Sequence, residues 1–198
     1  ILNSQADWMF GKGLGRFPAS YFYHLKQSEL PGSYAWQRED NNDYLALSGP
    51  RYPMSWGDLF RISQRVPARA GNYRVSVDVR NVIDVNLHFE VCEKQLLYNA
   101  GCGAKAVAVK ASPDTWSTVS LVLDGKDVNG GDWYAPRLAL FSVAVGTSGA
   151  KVDLDNLHVE GPSGIPLISN PGFTGGMSGW FFTSDRHHLP WHIKNLAL

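Results

Sequence analysis

The sequence lacks an excess of charge of either sign, a long apolar run and more than two cysteines. Lysine plus arginine and aspartate plus glutamate number 18 each among 198 residues. This balance gives no general attraction to nucleic acid, and we expect no nucleic-acid partner. No stretch of about 18 apolar residues is present, and the chain is therefore expected to be a mature or excised soluble piece of a protein.

No set of catalytic side chains can be recognised either. A glycoside hydrolase needs two carboxylates that flank the scissile bond, and the sequence pattern pairs none of its candidates. The Gly-x-Ser-x-Gly turn of serine hydrolases is also missing. We therefore expect this chain to act by binding and to be non-catalytic alone. The carboxylates considered were Glu90, Glu93, Asp132 and Asp153.

The two cysteines, Cys92 and Cys102, are flanked by apolar runs at 85–91 and 104–109 that can pair as a hairpin. Alternation in the first run places its apolar residues on one face and Cys92 at the end of the other. A partner ten positions further along fits a cross-link over a loop, whereas a metal site needs more ligands. We predict a disulfide, and hence the periplasm or another oxidising, extracellular space.

Hydrophobic residues make up 44% of the chain, enough for a core, and they follow the period of β-strands. Tyr73–Val79 and Ser117–Leu123 alternate between apolar and polar residues. Arg137–Val145 is more continuously apolar and is predicted to be a central strand buried on both faces. Asp43–Leu47 and Leu59–Val66 are further candidates. With turn residues between them, these segments predict an all-β fold, a jelly-roll β-sandwich.

In the last predicted strand of the sandwich, the apolar residues change from one face of the strand to the other. Apolar residues in Val152–Glu160 change parity at Asp155–Asn156, which predicts a β-bulge there. We expect the sandwich to occupy residues 30–162, after a glycine-rich flank at 1–29. The flank at 163–198 is expected to hold one more strand near Trp180 and a short C-terminal helical segment ending at Leu198.

Three features of the body occur together: the Tyr73–Val79 strand after a Gly-Asn turn, the Pro136–Phe141 strand and a closing strand that reads Leu154-Asp155-Asn156-Leu157. With these features the body resembles the galactose-binding-like jelly rolls of carbohydrate-binding modules. The family typically has a second Asp where this chain has Asn156. The resemblance implies glycan binding. It also implies a structural Ca²⁺ with Asp155 as a ligand, and no other cofactor is expected.

The two ends of the chain carry distinct motifs: Trp8–Pro18 contains Gly-x-Gly-x-Gly-x-Phe, and His188–Leu196 is a His-bearing segment. These ends look like the borders of the large periplasmic loop in O-antigen ligases and related polymerases, although that family usually has His directly followed by Asn. The resemblance implies a jelly roll inserted in that loop, beside a membrane domain and a lipid-linked oligosaccharide. His192 would be a general base and Arg16 would bind the diphosphate. The alternative is a mobile glycine loop with surface histidines.

Three places combine aromatic rings with polar groups, as sugar binding requires. Rings in loops are less easily explained as core, which favours Trp56, Trp133 and Tyr134 over Trp36. The alternative is that these rings close the ends of the sandwich. Trp116, which follows a Pro-Asp-Thr turn, is predicted to lie in the core or at its rim. The candidate sugar-binding residues are Trp36, Tyr52, Trp56, Asp58, Trp133 and Tyr134.

Three hypotheses follow from these patterns. The first is a glycan-binding periplasmic domain of a ligase-like or polymerase-like membrane protein, in which residues 1–18 and 185–198 lie close together. The second is a free carbohydrate-binding module of a secreted glycoside hydrolase, with a further module beginning near Ile168. The third is a protein-interaction domain whose exposed aromatic residues form the interface.

Overall fold

A computed structural model describes residues 32–50, 60–95 and 98–184, and these residues form strands, turns and loops without a helix. The predicted C-terminal helix and the flank at 1–29 fall outside the described residues. The described strands are β1 (Ser33–Glu39), β2 (Asn42–Ser48), β3 (Phe60–Val66), β4 (Gly71–Asn81), β5 (Val85–Gln95), β6 (Tyr98–Val109), β7 (Ser112–Gly125), β8 (Gly131–Asp132), β9 (Ala135–Pro136), β10 (Leu138–Val145), β11 (Lys151–Glu160) and β12 (Phe181–Ser184).

The strands form two five-stranded antiparallel sheets and one small hairpin. The first sheet has the order β1-β2-β11-β4-β7, and the second has the order β12-β3-β10-β5-β6. Among the strands that the structure describes, β8 and β9 pair with each other alone. The two large sheets face each other across one core, which confirms the predicted all-β jelly-roll sandwich.

The core is made by the alternation that the sequence predicted. Tyr73, Val75, Val77 and Val79 of β4 are all buried, and so are Leu121 and Leu123 on the neighbouring strand β7. In the second sheet, β10 lies between β3 and β5 and is buried along nearly its whole length. The prediction of a central strand there is confirmed. Burial of the inward-pointing residues of both sheets is the main stabilising contribution to this fold.

The predicted disulfide joins strands β5 and β6. Cys92 and Cys102 lie directly opposite each other in the antiparallel register, with their Cα atoms 4.2 Å apart. The bond therefore links two paired strands side by side, near the end of their hairpin. Cys92 is buried, whereas Cys102 faces solvent.

The predicted bulge in β11 is also present. Asp155 pairs with Asp78, but the next pair is His158 with Ser76, and Asn156 has a φ of 47°. The extra residue turns Leu157 toward the core. It also removes the Leu157 N–H from the ladder with β4, and this N–H donates instead to the carbonyl oxygen of Pro171 at 2.9 Å.

Residues 163–180, which we call the closing segment, follow β11 and are attached to it by this hydrogen bond. Phe173 is fully buried in the same core as the two sheets, and Trp180 packs 5.5 Å from it. Strand β12 then pairs with the edge of β3. The core thus continues past residue 162, where the sequence predicted the sandwich to end, and the stretch from Ile168 packs on this sandwich.

The β1–β2 hairpin holds the closing segment from the other side. The indole N–H of Trp36 donates to the Phe173 carbonyl oxygen at 3.0 Å. The Asp43 carboxylate accepts a hydrogen bond from the Gly175 N–H at 2.9 Å and pairs with Arg38. The bond from Arg38 and then the Gly175 N–H lower the pKa of Asp43 below its ordinary value.

Replacing Phe173 with alanine tests how much the closing segment stabilises the fold. Because the ring is fully buried, we expect Phe173→Ala to lower the free energy of unfolding by about 3–5 kcal/mol. Phe181→Ala is the matched control, since that ring is 42% exposed, and we expect a loss below about 1 kcal/mol. Urea titration measures both. Equal losses in the two variants would contradict the packing described.

Asp43 predicts a dependence of stability on pH. Contacts in the folded chain favour the ionised carboxylate, so its contribution to stability is complete above the ordinary pKa of 3.8 and is lost as the pH falls through the lowered pKa. The melting temperature of the wild type should therefore fall more steeply below pH ~4 than that of Asp43→Asn. Asp114→Asn, at an exposed site, should keep the wild-type slope. Parallel curves for the wild type and Asp43→Asn would exclude this contribution.

Candidate functional site

The most exposed aromatic residues among those described lie together at the turn between β8 and β9. The Trp133 side chain is 93% exposed and that of Tyr134 is 70% exposed. Their rings make an edge-to-face contact, with centroids 5.8 Å apart. We call this pair the aromatic tip. Both residues were predicted from sequence as sugar-binding residues in a loop, and the structure brings them together on a hairpin.

Local sequence explains why the hairpin forms at this position. Gly130 and Gly131 have φ values of 87° and 72°, which residues with a side chain rarely adopt. A β-carbon at Gly131 would lie 2.5 Å from the Ala135 carbonyl oxygen, so only glycine fits there. The Asn129 side chain accepts the Gly131 N–H, and the Arg137 N–H closes the base by donating to the Gly130 carbonyl oxygen at 2.8 Å.

A buried carboxylate fixes the base of this hairpin to the second sheet. Glu93, at the end of β5, has no exposed surface. It accepts hydrogen bonds from the Gly130 N–H and from the Arg137 guanidinium, the latter at 3.2 Å. A buried charge requires such partners, because without them it would lose its hydration uncompensated. The ion pair between Glu93 and Arg137 therefore fixes the base of the hairpin that carries the aromatic tip.

The other predicted sugar-binding residues differ in their surroundings. Trp36 is 40% exposed on edge strand β1, but its N–H is bonded to Phe173 and the Arg38 guanidinium lies 5.4 Å from its ring centroid. The Trp36 side chain therefore already makes contacts that stabilise the fold. Tyr52, Trp56 and Asp58, with the predicted catalytic residues Arg16 and His192, lie outside the described residues.

Asp155, the predicted calcium ligand, lies at the bulge and is buried. One of its carboxylate oxygens accepts a hydrogen bond from the Asn42 side chain at 2.9 Å, and the other accepts the Asn156 N–H at 2.7 Å. Calcium takes six to eight oxygen ligands. In the part of the chain that the structure describes, no cluster of three or more carboxylate, histidine or cysteine ligands occurs. These residues supply only part of a calcium site, and calcium binding at Asp155 stays a prediction.

A second group of aromatic residues was missed by the sequence analysis. Trp116 is not in the core. It lies on the outer face of the first sheet, because it has the opposite parity to the buried residues of β7. The Arg80 guanidinium lies 4.8 Å from the centroid of Trp116 and 5.0 Å from that of Tyr44. The parity of Leu121 and Leu123 already pointed Trp116 outward, and this signal was overlooked.

Carboxylates complete the surroundings of Arg80. Its guanidinium donates to Glu39 at 2.8 Å and to Asp153 at 3.1 Å. Burial opposes the charge on Arg80, but these hydrogen bonds outweigh it and raise the pKa above its ordinary value. Burial and then the charge of Asp153 raise the pKa of Tyr44, so the phenol stays protonated. These side chains line a cleft of about 440 Å³, which we call the Arg80 cleft.

The outer face of the second sheet carries buried polar groups. Arg61 and Glu90 form an ion pair at 2.6 Å, and the Ser63 and Ser142 hydroxyls lie 2.9 Å apart. Burial and then the charge of Arg61 lower the pKa of His88, so its imidazole is neutral at pH 7. Three of the carboxylates weighed as catalytic candidates, namely Glu90, Glu93 and Asp153, thus each bind an arginine.

No protein-family model and no curated protein matches this chain. Among solved structures, it resembles the PbXyn10C carbohydrate-binding module with 16% identity and a TM-score of 0.46, over 83% of this chain and 90% of the other. It also resembles a CBM4 module with 13% identity and a TM-score of 0.46, over 68% and 81%. A third is the family 11 module from Clostridium thermocellum in complex with a β-1,3-1,4-mixed-linked tetrasaccharide, with 13% identity and a TM-score of 0.41, over 70% and 82%.

These three solved structures are carbohydrate-binding modules, and at such values the likeness concerns overall architecture. No helix that is long and apolar enough to span a membrane was found among the described residues.

Removing the charge of Glu93 tests the anchoring of the tip. Glu93→Gln leaves the Arg137 guanidinium without its counter-ion, and we expect the free energy of unfolding to fall by about 1–3 kcal/mol. Backbone ¹⁵N relaxation of residues 129–137 should then show faster motion at the hairpin. Asp132→Asn, which removes an exposed charge from the hairpin itself, should change neither quantity. Unchanged relaxation in Glu93→Gln would mean that the hairpin is held by other contacts.

Proposed function

We propose that this chain is an extracytoplasmic glycan-binding β-sandwich that holds a sugar against Trp133 and Tyr134. The observation that carries the proposal is the aromatic tip itself, two large rings that are 93% and 70% exposed on a hairpin fixed by the buried Glu93. An aromatic side chain buries about 150–250 Å² when it is covered. A ligand that covers these rings therefore gains contact area without first ordering the loop.

The chemistry of the tip favours a sugar. The flat face of an aromatic ring packs against the C–H face of a pyranose, while hydroxyl groups at the ring edge need polar partners. Asp132, directly before Trp133, is exposed and supplies a carboxylate acceptor. The chain has equal numbers of acidic and basic residues, which favours a neutral glycan over a polyanion.

We propose binding without catalysis by these residues. Glu90, Glu93 and Asp153 are each bound to an arginine, so none of them is free to act as the acid or the nucleophile of a glycosidase. The disulfide between Cys92 and Cys102 is consistent with an extracellular or periplasmic location.

The finer proposal concerns the parent protein. The end motifs, Trp8–Pro18 and His188–Leu196, support a periplasmic loop of an O-antigen ligase-like or polymerase-like membrane protein, in which His192 and Arg16 act on a lipid-linked glycan. In that protein the sandwich would lie beside a membrane domain. The alternative is a free module of a secreted glycoside hydrolase. The complete gene decides between them, because transmembrane segments on both sides support the first and a catalytic domain supports the second.

Substitution of the aromatic tip tests glycan binding. A glycan array selects an oligosaccharide, and isothermal titration then measures its affinity. We expect Trp133→Ala and Tyr134→Ala each to weaken binding about tenfold, since each removes one ring contact worth roughly 1.4 kcal/mol. Phe181→Ala removes an exposed ring outside the tip and should leave the affinity unchanged.

The same titration tests the remaining candidates. Trp56→Ala, with Tyr52 and Asp58 intact, is expected to weaken binding if that segment is a further sugar contact, and Trp36→Ala tests the partly exposed ring on β1. Wild-type affinity in the Trp133 and Tyr134 variants would exclude the tip as the sugar site. Absence of any glycan ligand would favour a protein-binding role for the exposed aromatics.

A further inference from the structure

We infer that the Arg80 cleft is a second glycan contact, separate from the aromatic tip, so that one chain binds glycan at two places. The inference rests on the proposed function for one point, namely that the ligand is a neutral, polyhydroxylated chain. It does not require the tip, because no residue of the hairpin lines the cleft. Three properties of the cleft support the inference: its side chains are held in place, its polar groups include both donors and acceptors, and it lies far from the aromatic tip.

The floor of the cleft is ordered before any ligand arrives. Arg80 is 19% exposed and is held by two carboxylates, of which Asp153 is 16% exposed. The Tyr44 ring lines the cleft and lies edge to face against the neighbouring Trp116 ring, with the two centroids 5.7 Å apart, and the Arg80 guanidinium lies over both rings. Binding at such a site loses little side-chain entropy, which is the usual property of a site built for recognition.

The polar groups of the cleft suit hydroxyls more than a single charge. Arg80 and Lys151 are donors, whereas Glu39, Asp114 and Asp153 are acceptors. A sugar hydroxyl both donates and accepts, so a lining of mixed character can satisfy it. Three acidic groups against two basic ones disfavour a phosphate or a uronic acid.

The size and the rim of the cleft agree with an oligosaccharide. Its volume of about 440 Å³ lies within the range of roughly 300–1,000 Å³ typical of small-molecule sites. Val82, 75% exposed, and Pro113 form an apolar part of the rim against which sugar C–H groups can pack.

The cleft and the tip lie at opposite ends of strand β4. Gly130, at the base of the tip, is next to Ala68, just before β4 begins at Gly71. Arg80 is near the other end of the strand, and at about 3.3 Å per residue the two ends are about 30 Å apart. A short oligosaccharide cannot reach both places, so two molecules should bind to each chain, and a long polysaccharide should be held at two points.

Stoichiometry and a site-specific signal test the inference. The probes are neutral oligosaccharides of three or four sugars, including β-1,4-galactotriose and a β-1,3-1,4-mixed-linked tetrasaccharide. We expect isothermal titration of the wild type to give two sites, and the indole N–H resonance of Trp116 to shift on saturation. The double variant Trp133→Ala/Tyr134→Ala should retain one site together with the Trp116 shift.

A second double variant, Glu39→Gln/Tyr44→Phe, should keep the tip site, weaken the cleft at least tenfold and lose the Trp116 shift. It should fold, because Glu39 is about half exposed and Tyr44 loses only its hydroxyl. The matched control is Glu160→Gln, which removes an equally exposed charge at the far end of the same face and should leave both sites intact.

Each other outcome decides a different point. One site, lost in the tip variant and unaffected by the cleft variant, overturns the second contact and leaves the proposed function standing. Binding lost only in the cleft variant keeps this site and removes the tip. No binding of any neutral oligosaccharide overturns both, and tighter binding of an oligouronate at the cleft overturns the assigned ligand class.

Discussion

Strand β11 has one residue more than its partner β4 can pair with, and the closing segment is attached to the sandwich at that point. The bulge at Asp155–Asn156 turns Leu157 inward and frees its N–H for Pro171. The closing segment then enters the core with Phe173 and ends in a strand on the edge of the second sheet. Without the extra residue, the parity of Val152 and Leu154 would continue and Leu157 would face outward from the core.

Both candidate contacts are built in a similar way, from a recognition group beside an ion pair that is at least partly shielded from solvent. At the tip, Glu93 and Arg137 hold a hairpin whose aromatic rings face solvent. At the cleft, Asp153 and Glu39 hold Arg80 against two rings. A paired charge with fixed hydrogen-bond directions positions its neighbours more accurately than apolar packing alone, and this suits a site that must be ready before its ligand arrives.

The features predicted correctly from the sequence are those with a local signal. The alternation in Tyr73–Val79 specifies a face directly, and the change of parity at Asp155–Asn156 can be explained only by an extra residue. The features that were missed depend on partners far along the chain. Glu93 becomes an anchor only because Gly130 and Arg137 lie beside it in space. Phe173 lies in a turn-rich stretch without periodicity, and the sequence suggested that a further module could begin near Ile168, not that this stretch completes the same core.

The position of the disulfide has a mechanical consequence. Cys92 is the direct neighbour of Glu93, the residue through which the aromatic tip is attached to the second sheet. A force applied at the tip would therefore pass into β5 beside a point that is covalently joined to β6. The covalent bond should keep these two strands together under load longer than hydrogen bonds alone would.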